Sequence, residues 1–254
     1  MKTIYNKIDI SFFLYILILL AFLSGLFWNV IATIIIITIH ELGHIIISKI
    51  FKWKIIKIHF GILGGYITYE NNYNKPFIEE LLVALGGILF QLIFYYICLI
   101  LFKYNIIMDK TFYMIKAYHY TILLFNIMPI VPLDGAKVIF LLLSVFFPYK
   151  KSMILLVFIS YLFLIPIVFF LHLKILTLLL IFFFLIKKIY LYLKNIPYVF
   201  NLFLFDRYIN YILYKENNYI KSNNITLIKR FKNNYFSINN KYVTERYILR
   251  KRFD

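Results

Sequence analysis

Six stretches of this 254-residue chain are long and apolar enough to be read as membrane-spanning helices. A helix needs about 20 mostly apolar residues to cross the hydrocarbon core of a bilayer. The stretches run near Asp9–Phe27, Trp28–Ile50, Ile78–Leu101, Phe112–Ile130, Met153–His172 and Ile175–Leu193. In lipid, backbone polar groups must be satisfied within the segment itself, which makes helices the expected form. Hydrophobic residues make up 63% and charged residues 15%, whereas soluble domains have about 45–50% apolar and 25% charged residues. A soluble enzyme, a disordered chain and a collagen-like fibre are thereby excluded. The first stretch is too long for the apolar part of a signal peptide, and no small-x-small cleavage site follows it. Phe51–Phe77 is too polar to cross as a helix. Within it, Ile58–Tyr69 combines glycines with alternating β-formers, the pattern of a short hairpin or re-entrant strand pair. The expected fold is an all-α polytopic membrane protein of about six transmembrane helices, with a short membrane-associated β-hairpin and a small cytoplasmic tail.

The charges orient it. Six spans put both termini on one side. With that side cytoplasmic, 24 of the 28 Lys and Arg residues lie inside, leaving Lys103, Lys110, Lys116 and Lys174 outside. Without the basic end of the chain, which votes weakly, the split is still 10 to 4. Membrane proteins keep Lys and Arg on the cytoplasmic side, so cytoplasmic N- and C-termini are expected. The net charge of +17 is explained in this way, with the lipid bilayer as partner and no specific nucleic acid. Residues 195–254 are Asn-, Lys- and Tyr-rich with short apolar runs. They read as a basic cytoplasmic C-terminal tail, partly helical, with a strand pair near Phe231–Val243, following a membrane core over residues 1–194.

Chemistry concentrates in the second span, at His40-Glu41-Leu42-Gly43-His44. Histidines at i and i+4 share a helical face and can reach one metal ion, with Glu41 beside them to take a proton from water. Three ionisable residues within five positions at membrane depth mark a functional site by default. The one cysteine, Cys98, sits in an apolar run, so a multi-thiolate zinc site is excluded and the metal rests on His, Asp or Glu. Catalytic zinc takes three protein ligands and leaves a position open. Candidates for the third are His59, His119, His172, Glu70, Glu79, Glu80, Asp109 and Asp134. Asp134 stands out, because it follows Asn126-Ile-Met-Pro129-Ile-Val-Pro132-Leu, where two prolines break the helix and hold a rigid turn. On the span boundaries above, His44 and His40 lie about 9–15 Å from the cytoplasmic end of their helix, and the fourth span returns to the same side.

HELGH followed, on a separate span, by N-x-x-P-x-x-P-L-D-G resembles the site-2 protease family of intramembrane zinc metalloproteases, and within it the subgroup of the stage IV sporulation protein FB. The resemblance extends from Ile10 to about Leu193, with further matches at Gly64-Gly65-Tyr66-Ile67-Thr68-Tyr69 and Ala84–Gln91. It implies Zn2+ as cofactor, with His40, His44 and Asp134 as ligands and Glu41 as general base and then general acid. It also implies that Asn126 meets the substrate backbone or the developing oxyanion. Gly65, Tyr66 and Pro132 line the substrate path in this reading, the strand from Leu63 to Tyr69 accepting an extended peptide by edge addition. The implied partners are a membrane-associated substrate of the pro-sigma factor type and an inhibitory membrane protein. Gly87 stands where the family often has proline, and Ala136 where a second glycine often follows. Residues 195–254 are too short and divergent for the nucleotide-binding domain of some sporulation members. A general membrane-protein protease or an inactive scaffold are the competing readings, and the intact Glu41 argues against the scaffold.

Overall fold

The computed structural model describes residues 8–61, 64–70, 73–170, 175–238 and 241–254. Leu63, His172 and Lys174 of the expectations above fall outside them. The chain divides into two compact units, Met1–Asn72 with Ile78–Asn126, and Tyr73–Phe77 with Ile127–Asp254.

The first unit contains strand β1 (Ile8–Ile10), helices α1 (Phe12–Leu23) and α2 (Phe27–Ile50), strands β2 (Ile55–Gly61) and β3 (Gly64–Tyr69), and helices α3 (Phe77–Lys103) and α4 (Asp109–Ile127). Three of its helices stop in the same way. After α1, Leu26 N–H bonds the Ala21 carbonyl at 3.0 Å and Gly25, at φ +73°, bonds that of Phe22 at 3.3 Å. After α2, Trp53 bonds Ser48 and Lys52 bonds Lys49; after α3, Ile106 bonds Leu101 and Asn105 bonds Phe102, all at 2.9 Å. This double bond across a left-handed residue satisfies the orphan carbonyls of the last turn. Lys52 and Asn105 adopt the left-handed conformation at φ 57° and 58° without being glycine. The α1 stop holds that helix to 12 residues, shorter than the expected Asp9–Phe27, whose first residues form β1 instead.

The expected hairpin is present. β2 and β3 pair antiparallel, Phe60 opposite Gly65 and His59 opposite Tyr66, and β1 adds in parallel to the far side of β2. β3 is therefore an edge of this sheet. The Glu70 N–H bonds back to the Lys54 carbonyl at 2.9 Å, so even-numbered residues of β3 turn their backbone polar groups to β2 and odd-numbered ones turn theirs outward.

α2 and α3 meet closely at glycine. A Cβ on Gly43 would run into the Gly86 carbonyl, and one on Gly86 would come within 3.0 Å of the Gly43 oxygen. Small residues let apolar helices approach where lipid supplies no hydrophobic drive. The buried stripe of α2 (Ile36, His40, Gly43, His44 and Ser48) follows the helical period.

The second unit contains α5 (Asp134–Phe146), α6 (Tyr149–Phe170), α7 (Ile175–Ile209), β4 (Asn217–Ile220), β5 (Asn233–Ile238), β6 (Lys241–Thr244) and α8 (Glu245–Phe253). The strand pair anticipated near Phe231–Val243 is the antiparallel pair β5–β6, with β4 parallel to β5. α7 continues through residue 195 to Ile209. Three helical stretches among the described residues are long and apolar enough to cross a membrane: Phe27–Ile50, Phe77–Lys103 and Tyr149–Pro166.

Candidate metal centre

α2 places His40 and His44 one turn apart, both buried, with Nε2 atoms 3.2 Å from each other. α3 supplies what lies behind them. The His44 Nδ1 is 2.7 Å from the Val83 carbonyl oxygen, which can only accept. The His40 Nδ1 is 3.1 Å from Gln91 Oε1, and Gln91 Nε2 donates to the His119 carbonyl at 3.0 Å. Both Nδ1 atoms therefore carry a proton, and both rings turn Nε2 to the same place. Two imidazole nitrogens that converge to 3.2 Å can share one cation. Space is left for one, since a Cβ at Gly87 would stand 2.5 Å from each Nε2. Imidazole nitrogens paired in this way, with hydrogen-bonded outer nitrogens, suit zinc.

Glu41 is buried beside His40, its Oε1 accepting the Gly65 backbone N–H at 3.2 Å. Gly65 is one of the outward-facing residues of β3, and a Cβ there would fall 2.6 Å from the Glu41 carboxyl carbon. Glycine at this position is thus what lets the strand edge reach the carboxylate. Tyr66 points elsewhere, stacked on His59 at 4.4 Å, and is 50% exposed.

Other expected residues are placed as follows. Asn126 is in the last turn of α4, partly exposed. In the second unit, Ser160 of α6 holds the proline segment, donating to the Pro129 carbonyl at 3.3 Å and accepting Val131 N–H at 3.2 Å. Pro132 is exposed. Asp134 does not sit in a turn, as its position after two prolines suggested, but opens helix α5; it is buried, and its Oδ1 accepts from Lys137 Nζ at 2.7 Å. The helix begins there because Pro132 ends the preceding segment and Leu133 is extended at its cap. Of the other candidate ligands, His59 pairs with Asp9 at 3.0 Å, Glu70 pairs with Lys54 at 3.3 Å, and Glu79 accepts the Trp53 indole N–H at 2.9 Å.

The sequence reading did not assign a role to Gln91 or to the Val83 and His119 carbonyls. A buried polar residue within an apolar span was the available signal for Gln91.

Comparison with known proteins agrees with this arrangement. The model of peptidase family M50 matches residues 28–109, taking in the histidine pair, the hairpin and α3. The stage IV sporulation protein FB of Bacillus subtilis is 34% identical over 146 residues, covering 58% of this chain and 51% of that protein. A zinc metalloprotease of Methanocaldococcus jannaschii is 27% identical over 154 residues, covering 58% of this chain and 44% of that protein. The chain thus spans about half the length of the curated relatives it matches. The solved structure of a site-2 protease from M. jannaschii shares the fold, with a TM-score of 0.56 at 24% identity over 72% of this chain and 89% of that one. The histidine pair lies within residues 28–109, over which the chain is similar to peptidase family M50, on a fold shared with a solved site-2 protease.

Proposed function

We propose that the chain is an intramembrane zinc endopeptidase that cuts a membrane-associated protein, in sporulation a substrate of the pro-sigma factor type. The observation that carries the reading is the pair of converging Nε2 atoms on His40 and His44 beside a buried carboxylate, Glu41. The M50 match and the zinc metalloprotease relative support the metal, and the Bacillus relative supports the setting. The core is proposed to span the membrane six times over residues 1–194, with both termini and the tail, residues 195–254, in the cytoplasm. The 24-to-4 charge split supports this orientation.

His40, His44 and Asp134 would hold the ion, as the family pattern implies, and the burial of all three supports it. Zinc, when bound, supplies Lewis-acid activation of water and of the scissile carbonyl. Glu41 takes a proton from the attacking water and returns it to the amide nitrogen as the C–N bond breaks. Asn126 donates to the developing oxyanion, a contribution worth several kcal/mol in such sites. The substrate helix unwinds and adds as a strand to the outer edge of β3, through the Gly65 carbonyl and the outward backbone groups of Ile67 and Tyr69. Tyr66 and Pro132 flank its path. An inhibitory membrane protein would act by covering that edge. A general membrane-protein protease with the same core is the second reading, favoured by the M50 match alone.

Co-expression with a tagged pro-sigma-type membrane substrate, comparing the native chain with Glu41→Gln, tests this. Cleavage by the native chain and none by the variant is expected. Equal cleavage by both would overturn the role of Glu41. Cleavage of other membrane proteins, with the pro-sigma substrate left intact, would replace the first reading by the second.

A further inference from the structure

We propose that Gln91 is a positioning residue for the metal, acting through His40, and that one face of α3 is built as the outer support of the histidine pair. The inference rests on reading His40 and His44 as zinc ligands.

Gln91 has no exposed surface, and a primary amide buried at membrane depth is costly unless both its groups are bonded. Here both are. The His119 carbonyl accepts from Nε2 at 3.0 Å, which settles which end of the amide is which. Oε1 must then face His40, at 3.1 Å from Nδ1. An amide turned the other way would set NH2 against the ring nitrogen and oxygen against the His119 oxygen, losing the bond to His119. The orientation of Gln91 thus imposes the Nδ1–H tautomer on His40, leaving Nε2 for the ion.

The His119 carbonyl is itself held in place. The His119 ring is fully buried and stacks on Tyr95, one turn beyond Gln91, at 4.3 Å and 11°. Phe102 and Phe112 stack at 4.1 Å and 6° farther along the same two helices. α4 is therefore fastened to α3 on the side where its carbonyl meets Gln91.

The spacing along α3 completes the argument. Val83, Gly87 and Gln91 recur every four residues and lie on one face. Val83 gives a carbonyl to His44, Gly87 leaves space beside both Nε2 atoms, and Gln91 gives a carbonyl to His40. Each ligand thus has its own acceptor from the same helix. Losing such a partner costs about 10–100-fold in metal affinity.

The test uses the full chain in detergent, with zinc affinity measured by competition with a chromophoric chelator and melting followed with and without zinc. Gln91→Met, close in volume but without the amide, is expected to bind zinc about 10–100-fold more weakly. Gln91→Glu, which keeps an acceptor for His40 but loses the donor to the His119 carbonyl, is expected to bind zinc more tightly than Gln91→Met. A residue that only packs would lower the melting temperature of both forms equally and leave zinc affinity unchanged. Native-like affinity in Gln91→Met would therefore overturn the inference. A native chain that binds no zinc would instead sink the ligand reading beneath it. If Gln91→Met is not recovered folded, 15N spectra of the histidine-labelled native chain decide. A proton on Nδ1 of His40 is expected, and a proton on Nε2 would overturn the proposal.

Discussion

The Gly65 backbone N–H points out of the sheet edge and donates to Glu41 Oε1 at 3.2 Å. The proposed base is thus tied to the strand proposed to hold the substrate. Gly65→Ala would bring a Cβ to 2.6 Å from the Glu41 carboxyl carbon and push the carboxylate off its position. Misplacement by about 1 Å can cost about 100-fold in rate. Cleavage is expected to fall by that order while zinc content, measured by atomic absorption, stays native. Full activity in Gly65→Ala would remove the link between strand and base.

Metal removal should show in stability as well as in activity. A ligand that binds only the folded state stabilises it by about 2.7 kcal/mol at 100 times its dissociation constant. Chelator treatment of the full chain is expected to lower the melting temperature, and added zinc to restore it. His44→Ala should melt at the same temperature with or without zinc, since only one histidine of the pair remains.

The tail is organised around a buried ion pair. Arg207 Nε meets Glu245 Oε1 at 2.7 Å and Nη2 meets Oε2 at 2.8 Å, while Asn234 donates to the same carboxylate at 2.7 Å. Both charged residues are buried. Removing one partner strands the other charge and costs about 3–5 kcal/mol. Glu245→Ala is expected to destabilise this part of the chain by that amount, seen as faster proteolysis of residues beyond Ile209 in the full chain. Arg207→Met combined with Glu245→Leu should recover much of the loss. A double variant as labile as the single one would show that the Asn234 bond, rather than charge pairing, dominates.

Topology can be read by labelling, because the one native cysteine, Cys98, is buried. Met108, between α3 and α4, is 81% exposed, and Leu213, after α7, is 74% exposed. With both termini cytoplasmic, an impermeant maleimide should label Met108→Cys on intact cells and Leu213→Cys only after permeabilisation. The reverse pattern would invert the proposed orientation.

Much of the site was legible because its first contacts are local. His40 and His44 share a face by the helical period alone, and Glu41 follows in the chain. The hairpin was legible from its glycines and alternating residues, although its Gly65–Glu41 bond was not. The extents of α1 and α7 were not legible, because a left-handed residue ended the one and no such stop interrupted the other before Ile209. Asp134 was anticipated by its prolines, but its place as the first residue of a helix was not.

By itself, then, the sequence determined the class of chain, the helix that carries the histidine pair and the carboxylate beside it. Tertiary structure alone decided which nitrogen of each histidine bonds to α3 and where Glu41 is held. Those choices come from Val83, Gln91 and Gly65, which lie 39, 51 and 24 residues from the groups they bond. The physical reason is that an apolar helix carries almost the same sequence on its lipid-facing and helix-facing sides. Which residues of α3 meet the histidines is settled only when Gly43 and Gly86 bring the two backbones together.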